Sequence, residues 1–498
     1  MSASSHAETA RLAISPGLAP ARRAALGQFM TPTPVAEFMA SLFARLPPHV
    51  RLLDAGAGVG ALTAAFVHRA CAQRALPETL HVTVYEVDAQ FVPALEETLA
   101  ACKAECAHVG VQFDAEIISE DYILHSAMPL FDTHGQNGRF NCAILNPPYA
   151  KIQTSSRWRA ALRTLGIETS NLYTAFVALA VQQLGTGGQL VAITPRSFCN
   201  GSYFEPFRRL LLEHTAIQQI HVYESRKKAF KDDAVLQENV IFRLTKAERQ
   251  PATIAISSSH DPASTDIAIR SVPFSEVVVP SDPQRFIRLA TTEADSALAE
   301  HVSALPHTLA SLGLNVSTGR VVDFRAKEQL RACADDSTVP LIYPQHFREG
   351  FVAWPKPEGR KPNALVLDDY TRDQVLPNET FVLTKRFTAK EEKRRLTAVV
   401  YEPSAAPGQH IAFENHLNYF HENGRGLSAD LARGLSLFLN STAVDQFFRQ
   451  FSGHTQVNAG DLRNLHYPSR DALRALGKQV NGAMPDQDGI DALIAPLL

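Results

Sequence analysis

Four short stretches in the first third of the chain carry side chains suited, in this order, to handling a nucleotide-like ligand. The first is Asp54-Ala-Gly56-Ala-Gly58-Val-Gly60, set between a strand-like run and a helical stretch. Glycines there let the backbone pass close to a ligand, and a helix start offers free N–H groups. The second is Glu86, at the end of the next strand-like run (VYEVD), where a carboxylate can accept both hydroxyls of a ribose. The third is Asp121, just past EIISE, placed to accept from the adenine amino group of such a cofactor. The fourth is Asn146-Pro147-Pro148-Tyr149, directly after the apolar run FNCAIL. Two prolines after a buried strand make a stiff turn at the carboxyl end of a sheet, where open α/β folds bind ligands. Taken singly, the glycine stretch reads equally well as a tight turn, and Glu86 and Asp121 read better as ordinary exposed acids. The fourth decides for chemistry, because a structural turn does not require the flanking Asn and Tyr.

The elements that must hold these stretches follow from apolar periodicity. The runs RLLDAG (51–56), VTVYEV (82–87), FDAEII (113–118), FNCAIL (140–145), QLVAIT (189–194) and IQQIHVY (217–223) read as buried strands. Helical stretches such as Ala61–Arg74 and Leu172–Leu184 alternate with them. A helix nearer the start begins at Thr33-Pro34 and carries Val35, Phe38, Met39, Leu42 and Phe43 on one face before Pro47-Pro48 stops it. The pattern predicts a Rossmann-like α/β domain with a mostly parallel, seven-stranded sheet covered on both faces. The last run, NVIFRL (239–244), is expected as an antiparallel edge.

The expected organisation is a flexible Ala/Ser-rich arm over 1–26, a catalytic domain over 27–250, a junction over 251–300 and a mixed α+β domain over 301–498. The junction is expected from its Ser, Thr, Pro and Asp content, as in SSSHDPASTD (257–266). With 45% hydrophobic and 20% charged residues, the chain has material for more than one core. Six cysteines without a CxxC pair exclude a disulfide framework and indicate no metal site, which points to the reducing cytoplasm. No apolar run reaches membrane-spanning length, so no membrane partner is expected. A net charge of −3 confines any nucleic-acid surface to a local basic patch.

Asn146-Pro147-Pro148-Tyr149 after Asp54-x-Gly-x-Gly-x-Gly, with Gly27-Gln-Phe-Met-Thr31-Pro upstream, resembles the gamma class of N6-adenine DNA methyltransferases, the TaqI-like group. The resemblance covers roughly residues 27–245. LTKRFTAKEEKRR (383–395) and FSGHTQVNAGDLRNLHYP (451–468) are similar to segments of type II modification methyltransferases related to the PstI and BsuBI systems. The resemblance implies S-adenosylmethionine as cofactor, contacted by Thr31, Asp54, Gly56, Gly58, Gly60, Glu86 and Asp121. It implies an everted adenine whose amino hydrogens are accepted by the Asn146 side chain and the Pro147 carbonyl, with Tyr149 stacked on the base. Phe230 matches the place of a second aromatic contact and is also open to being a core phenylalanine. Cytosine C5 methylation is disfavoured, since no Pro-Cys pair occurs. N4-cytosine methylation and methylation of protein glutamine stand as the alternatives, and the length beyond the catalytic domain argues against the latter.

The last domain is assigned target recognition by that resemblance, with double-stranded DNA clamped between the two domains. A cognate restriction endonuclease, if there is one, is expected as a separate chain. Lys385, Arg386, Lys390, Lys393, Arg394 and Arg395 are candidate phosphate contacts, against the ordinary reading of a solvated charged face. His454, Thr455, Gln456 and Asn458 are candidate contacts to base edges or the sugar-phosphate, or else a loop closing the domain. Trp158, between Arg157 and Arg159, is open to approaching DNA or to packing.

Overall fold

In the computed structural model, every expected strand of the first half forms, and all but the edge strand at 112–118 are largely buried because alternate residues feed opposite faces of one sheet. The structure describes residues 2–15, 30–128, 139–223, 238–264, 266–388, 392–453 and 455–498, and they divide into two units, 1–291 and 292–498. In the first unit β1 (His49–Ala55), β2 (Thr79–Tyr85), β3 (Gln112–Ile118), β4 (Phe140–Leu145), β5 (Leu184–Pro195), β6 (Thr215–Tyr223) and β7 (Asn239–Lys246) are joined by β8 (Thr253–Ser259) and β9 (Ala268–Pro273). The sheet is therefore nine-stranded, in the order β3-β2-β1-β4-β5-β7-β6-β8-β9. Five of its pairings are parallel and three antiparallel, so the sheet is mixed rather than the seven-stranded, mostly parallel one expected.

β7 is antiparallel as anticipated, but it lies between β5 and β6, not at an edge. Its continuous apolar run, with Asn239, Val240, Ile241 and Phe242 all buried, is what an interior strand requires. Where a junction was expected, the chain forms the last two strands of this sheet. The serines that made 257–259 look like a linker are buried in β8 and bonded: His221 meets Ser257 at 3.0 Å and Ser259 at 3.2 Å, and Gln219 donates to Ser257 at 3.2 Å. Polar groups satisfied across neighbouring strands cost little to bury.

The start of the chain also departs from expectation. Ala3–Ile14 form helix α1, with Ser2 capping its first turn through Ser5 N. Ala3 and Ala7, one turn apart, are 1% exposed and join the core. Glu8 pairs with Arg11 at 2.8 Å and accepts the Thr33 hydroxyl at 2.9 Å, tying α1 to the start of α2 (Thr33–Ser41). Small alanines that suggested flexibility are what lets a helix pack closely.

Helices α3 (Ala61–Cys71) and α4 (Val92–His108) cover one face of the sheet with α1 and α2. On the other face lie α5 (Tyr122–Ser126), α6 (Arg157–Thr164), α7 (Leu172–Gln183) and α8 (Glu205–His214). β4 shows the division: Cys142 and Ile144 enter the first core, Ala143 and Leu145 the second. Full burial of a Leu or Ile side chain contributes about 1.5–3 kcal/mol, so the strand that ends in the Asn-Pro-Pro-Tyr turn is firmly anchored.

The second unit is mixed α+β. A six-stranded and a five-stranded sheet precede a helical C-terminal part. Helices Ala429–Leu439 and Arg470–Gly477 cross at two glycines: a Cβ on Gly434 would fall 1.7 Å from the Leu473 carbonyl oxygen, and one on Gly477 1.7 Å from that of Asp430. Among the described residues no helix is long and apolar enough to cross a membrane.

Candidate active site

The pocket forms where β1, β2 and β4 end, because each strand hands the chain to a turn at the carboxyl edge of the sheet. After β1, Gly56, Gly58 and Gly60 all take left-handed backbone conformations, with φ of +82°, +57° and +84°. At Gly60 space is short as well, since a Cβ would lie 2.9 Å from Leu95 Cδ1 of α4. At Gly58 the backbone turns its N–H outward to donate to Glu86 Oε2 at 2.8 Å. Glu86 Oε1 accepts from Asp88 N at 2.7 Å. The carboxylate is thus held by two backbone donors while each oxygen keeps a further lone pair. Burial raises its proton affinity above the ordinary carboxylate range, with the two N–H bonds working against the rise.

Asp121 caps α5, its Oδ1 accepting from Ile123 N and Leu124 N, both at 3.0 Å. Its Oδ2 accepts from the Trp158 indole at 2.7 Å. Trp158 therefore lines this pocket, and the structure commits it to Asp121 rather than to a free surface. With Phe176, Ile123 and Leu172 it makes an apolar wall facing the acids. Sequence reasoning left Trp158 open between DNA and packing; the available signal was that a half-buried indole N–H needs an acceptor.

Asn146 lies in the same pocket. Its Nδ2 donates to Thr31 Oγ1 at 2.9 Å, and its Oδ1 accepts from the Tyr149 hydroxyl at 3.1 Å. Thr31, 6% exposed just before α2, is thus a positioning partner of Asn146 as well as part of the pocket wall. The Ile193 carbonyl, 3.4 Å away, is a second acceptor for Tyr149, whose ring lies edge-on to Tyr173. Burial holds the Tyr149 phenol well above its ordinary value, so it stays protonated and keeps donating. Pro147 is buried within the turn.

Of the residues expected to contact a cofactor, Thr31, Gly56, Gly58, Glu86 and Asp121 line the pocket. Asp54 and Gly60 stand behind the loop. Asp54 is fully buried and accepts from Thr63 at 2.7 Å through Oδ2, while Oδ1 has no hydrogen-bond partner among the described residues. Burial, more than the nearby Glu86, pushes its carboxyl up to about 7. Phe230 lies outside the described residues. No group of metal-binding side chains occurs among the described residues.

In the second unit the two segments singled out in the sequence meet. Phe387 bridges to Gln456, Thr388 N donates to Thr455 O at 3.0 Å, and Val457 N to Arg386 O at 2.7 Å. Phe387 is 41% exposed, stacked between the Arg386 guanidinium at 5.5 Å and the His416 ring at 4.8 Å. Lys385 is half-buried at the end of its strand and Lys393 exposed. Two of the basic residues do something else. Arg395 is 2% exposed, with its guanidinium on Thr388 O and Ser452 Oγ; Arg394 is tied to Gln487, Ser441 O and Leu396 O. Both are internal struts, because a guanidinium among carbonyls satisfies what a turn leaves unpaired. Asn458 is spent on capping the helix Ala459–Arg463 with Asp461. His454, Lys390 and Glu391 lie outside the described residues.

Comparison with known proteins places this arrangement. Residues 87–230 match the Eco57I restriction-modification methylase family. The chain is 46% identical to the type II methyltransferase M.PstI of Providencia stuartii over 95% of its length and 92% of the relative's. It is 44% identical to the type II methyltransferase M.BsuBI of Bacillus subtilis over 95% of its length and 93% of the relative's. Among solved structures, the type IIL restriction-modification enzyme MmeI in complex with DNA superimposes with a TM-score of 0.55 at 8% identity, covering 99% of this chain and 73% of that one, a likeness of fold. The chain belongs to the family of type II restriction-modification methyltransferases.

Proposed function

We propose that this methyltransferase transfers a methyl group from S-adenosylmethionine to N6 of an adenine everted from duplex DNA. The observation that carries the reading is Asn146, its amide held between Thr31 and Tyr149 in the pocket that Glu86 and Asp121 line. The cofactor fits the side chains present: Glu86 keeps lone pairs for ribose hydroxyls, Asp121 Oδ2 keeps one for an amino group, and Phe176 and Trp158 suit a purine face. Bound there, S-adenosylmethionine supplies an activated methyl on a sulfonium, with a neutral thioether as leaving group.

The chain's own part is orientation. An adenine amino group is a weak nucleophile because its lone pair is delocalised into the ring. Asn146 Oδ1, the acceptor of the Tyr149 hydroxyl, and the Pro147 carbonyl accept the two amino hydrogens. The nitrogen then pyramidalises and directs its lone pair at the methyl carbon. With S-adenosylmethionine held by Glu86 and Asp121, the amine would take the methyl as the neutral thioether left, and the surplus proton would pass from the nitrogen to solvent. Tyr149 lends its ring to the base as a stacking face.

DNA contacts fall on Lys385, Lys393, Thr455 and Gln456, and on the part of the Arg386 guanidinium that is not bonded to Asn415 O, since Arg394, Arg395 and Asn458 are otherwise engaged. Any cognate endonuclease is a separate chain. The test is sequencing for modified bases in DNA from cells expressing the wild type or Asn146→Ala. N6-methyladenine in one short motif, present only with the wild type, is the expected result. N4-methylcytosine, or label from the cofactor appearing in protein and not DNA, sinks the reading.

A further inference from the structure

At the same edge of the sheet, two and three strands away from the catalytic turn, two buried side chains carry polar atoms that bond to none of the described residues. Asn239, at the start of β7, is 6% exposed, and neither its Oδ1 nor its Nδ2 has a partner among the described residues. Tyr223, at the end of β6, is 5% exposed, and its hydroxyl is likewise unpartnered among them. A buried amide and phenol left unsatisfied are destabilising, and buried polar groups are otherwise bonded almost without exception.

The register says where these groups sit. Leu145 is paired with Ala192, which puts Asn146 level with Ile193. Asn239 is paired with Pro195, two residues further along β5 and so on the same face as Ile193. Val222 is paired with Val240, which sets Tyr223 opposite Asn239 on the adjacent strand. Ile144, Ile193, Ile241 and Tyr223 all contribute to one core, so Asn146, Asn239 and Tyr223 share that face. Two strand spacings, about 10 Å, separate β4 from β7. The position is stiff, for Arg196 N donates to Glu238 O at 2.6 Å and the Arg196 guanidinium pairs with Glu238 at 3.1 Å, both groups buried.

From this the geometry points to a second polar contact for the substrate: Asn239 and Tyr223 donate hydrogen bonds to ring nitrogens of the everted purine while Asn146 holds its amino group. The inference rests on the reading of the site as an adenine N6-methyltransferase. An amide N–H and a phenol O–H are donors, and a purine ring offers acceptors away from its amino group. A base bonded at both ends is fixed in the plane of the sheet edge, which a stacking contact alone leaves free to rotate. Polar groups that bond to none of the described residues are then bonding capacity held for the ligand.

The experiment uses the full chain, Asn239→Leu, Tyr223→Phe and the double variant, on duplexes carrying adenine or 1-deaza-, 3-deaza- or 7-deazaadenine at the target position. Expected are melting temperatures equal to or above the wild type's, unchanged cofactor affinity, and kcat/KM for DNA down about ten- to a hundredfold, the range for removal of one or two hydrogen bonds. The wild type should lose rate on at least one deaza duplex, and the double variant should not distinguish that duplex from adenine. Two results overturn the inference: rates within twofold of wild type on adenine, or lost rate with lowered melting temperature and deaza discrimination intact. If the wild type forms no N6-methyladenine, the reading beneath it fails instead, whatever the variants do.

Discussion

The carboxyl edge of the sheet has two halves built on opposite terms. Where β1, β2 and β3 end, the acids that line the pocket are already bonded, Glu86 to Gly58 and Asp88, Asp121 to α5 and Trp158, while Asp54 Oδ1 behind the glycine loop has no partner among the described residues. Where β6 and β7 meet, the Tyr223 hydroxyl and the Asn239 amide are buried without partners among the described residues. On the function proposed above, a wall that holds one invariant cofactor gains from being preformed, and a site for a base that arrives from a duplex has to keep bonding capacity in reserve. Asn146 stands between the halves, its amide held by Thr31 and Tyr149.

The comparison breaks most sharply at Asn146. Asn146→Ala should lower kcat by about a thousandfold or more, the loss of roughly 4 kcal/mol seen when an oriented polar group is removed from a reacting centre. Cofactor affinity, read by calorimetry, should stay within a few-fold. If cofactor binding fell as far as kcat, the division of labour between the halves would be wrong. Arg395 tests a different boundary, between strut and DNA-binding side chain. Arg395→Ala strands the Thr388 carbonyl and the Ser452 hydroxyl and should cost about 3 kcal/mol in chemical denaturation. Lys393→Ala together with Lys385→Ala should barely move stability but make DNA affinity less dependent on salt, by about 0.9 in the log–log slope for each phosphate no longer neutralised. Equal behaviour of the two substitutions in both assays would erase the distinction.

On the cofactor half, Glu86→Ala should weaken S-adenosylmethionine binding by about ten- to a hundredfold, the loss of charge-assisted bonds worth roughly 1.5–3 kcal/mol. It also frees Gly58 N, so the glycine loop should exchange its amide hydrogens faster. An unchanged dissociation constant would move the ribose elsewhere.

What the residues disclosed in advance, and what they hid, divides along similar lines. The seven expected strands and the four-part motif order were readable because apolar runs and proline or glycine turns act locally, within a few residues. The Ser-rich strand β8 was hidden because its burial depends on His221 and Gln219, more than thirty residues away. Helix α1 was hidden because alanines carry no periodic apolar signal until a partner surface exists. In the site, Glu86 and Asn146 were legible by type and position. The roles of Trp158 and Arg395 were not, since an indole beside two arginines and an arginine in a charged run look the same whether they face solvent or a buried acceptor. Asn239 and Tyr223 were missed for a related reason, as an absent hydrogen bond leaves no trace in sequence.

The smallest effect separates the two halves by pH. Asp54 is fully buried behind the glycine loop, and burial pushes its carboxyl up to about 7, against the pull of the Thr63 hydrogen bond. A carboxyl whose proton affinity rises on folding binds its proton more tightly in the native state than in the unfolded one. Its favourable contribution is complete below the ordinary carboxylate range near 4 and is lost as pH climbs through about 7. Asn has the shape of the protonated acid and does not titrate. Asp54→Asn should therefore melt close to the wild type at about pH 4 and above it at pH 8, the gap opening between about pH 4 and 7. The matching substitution on the target half, Asn239→Leu, removes a group that does not titrate, so any gain in its melting temperature should be the same at every pH. Parallel melting curves for Asp54→Asn across that range would mean that Asp54 stays ionised, its Oδ1 supplied with a donor such as an ordered water.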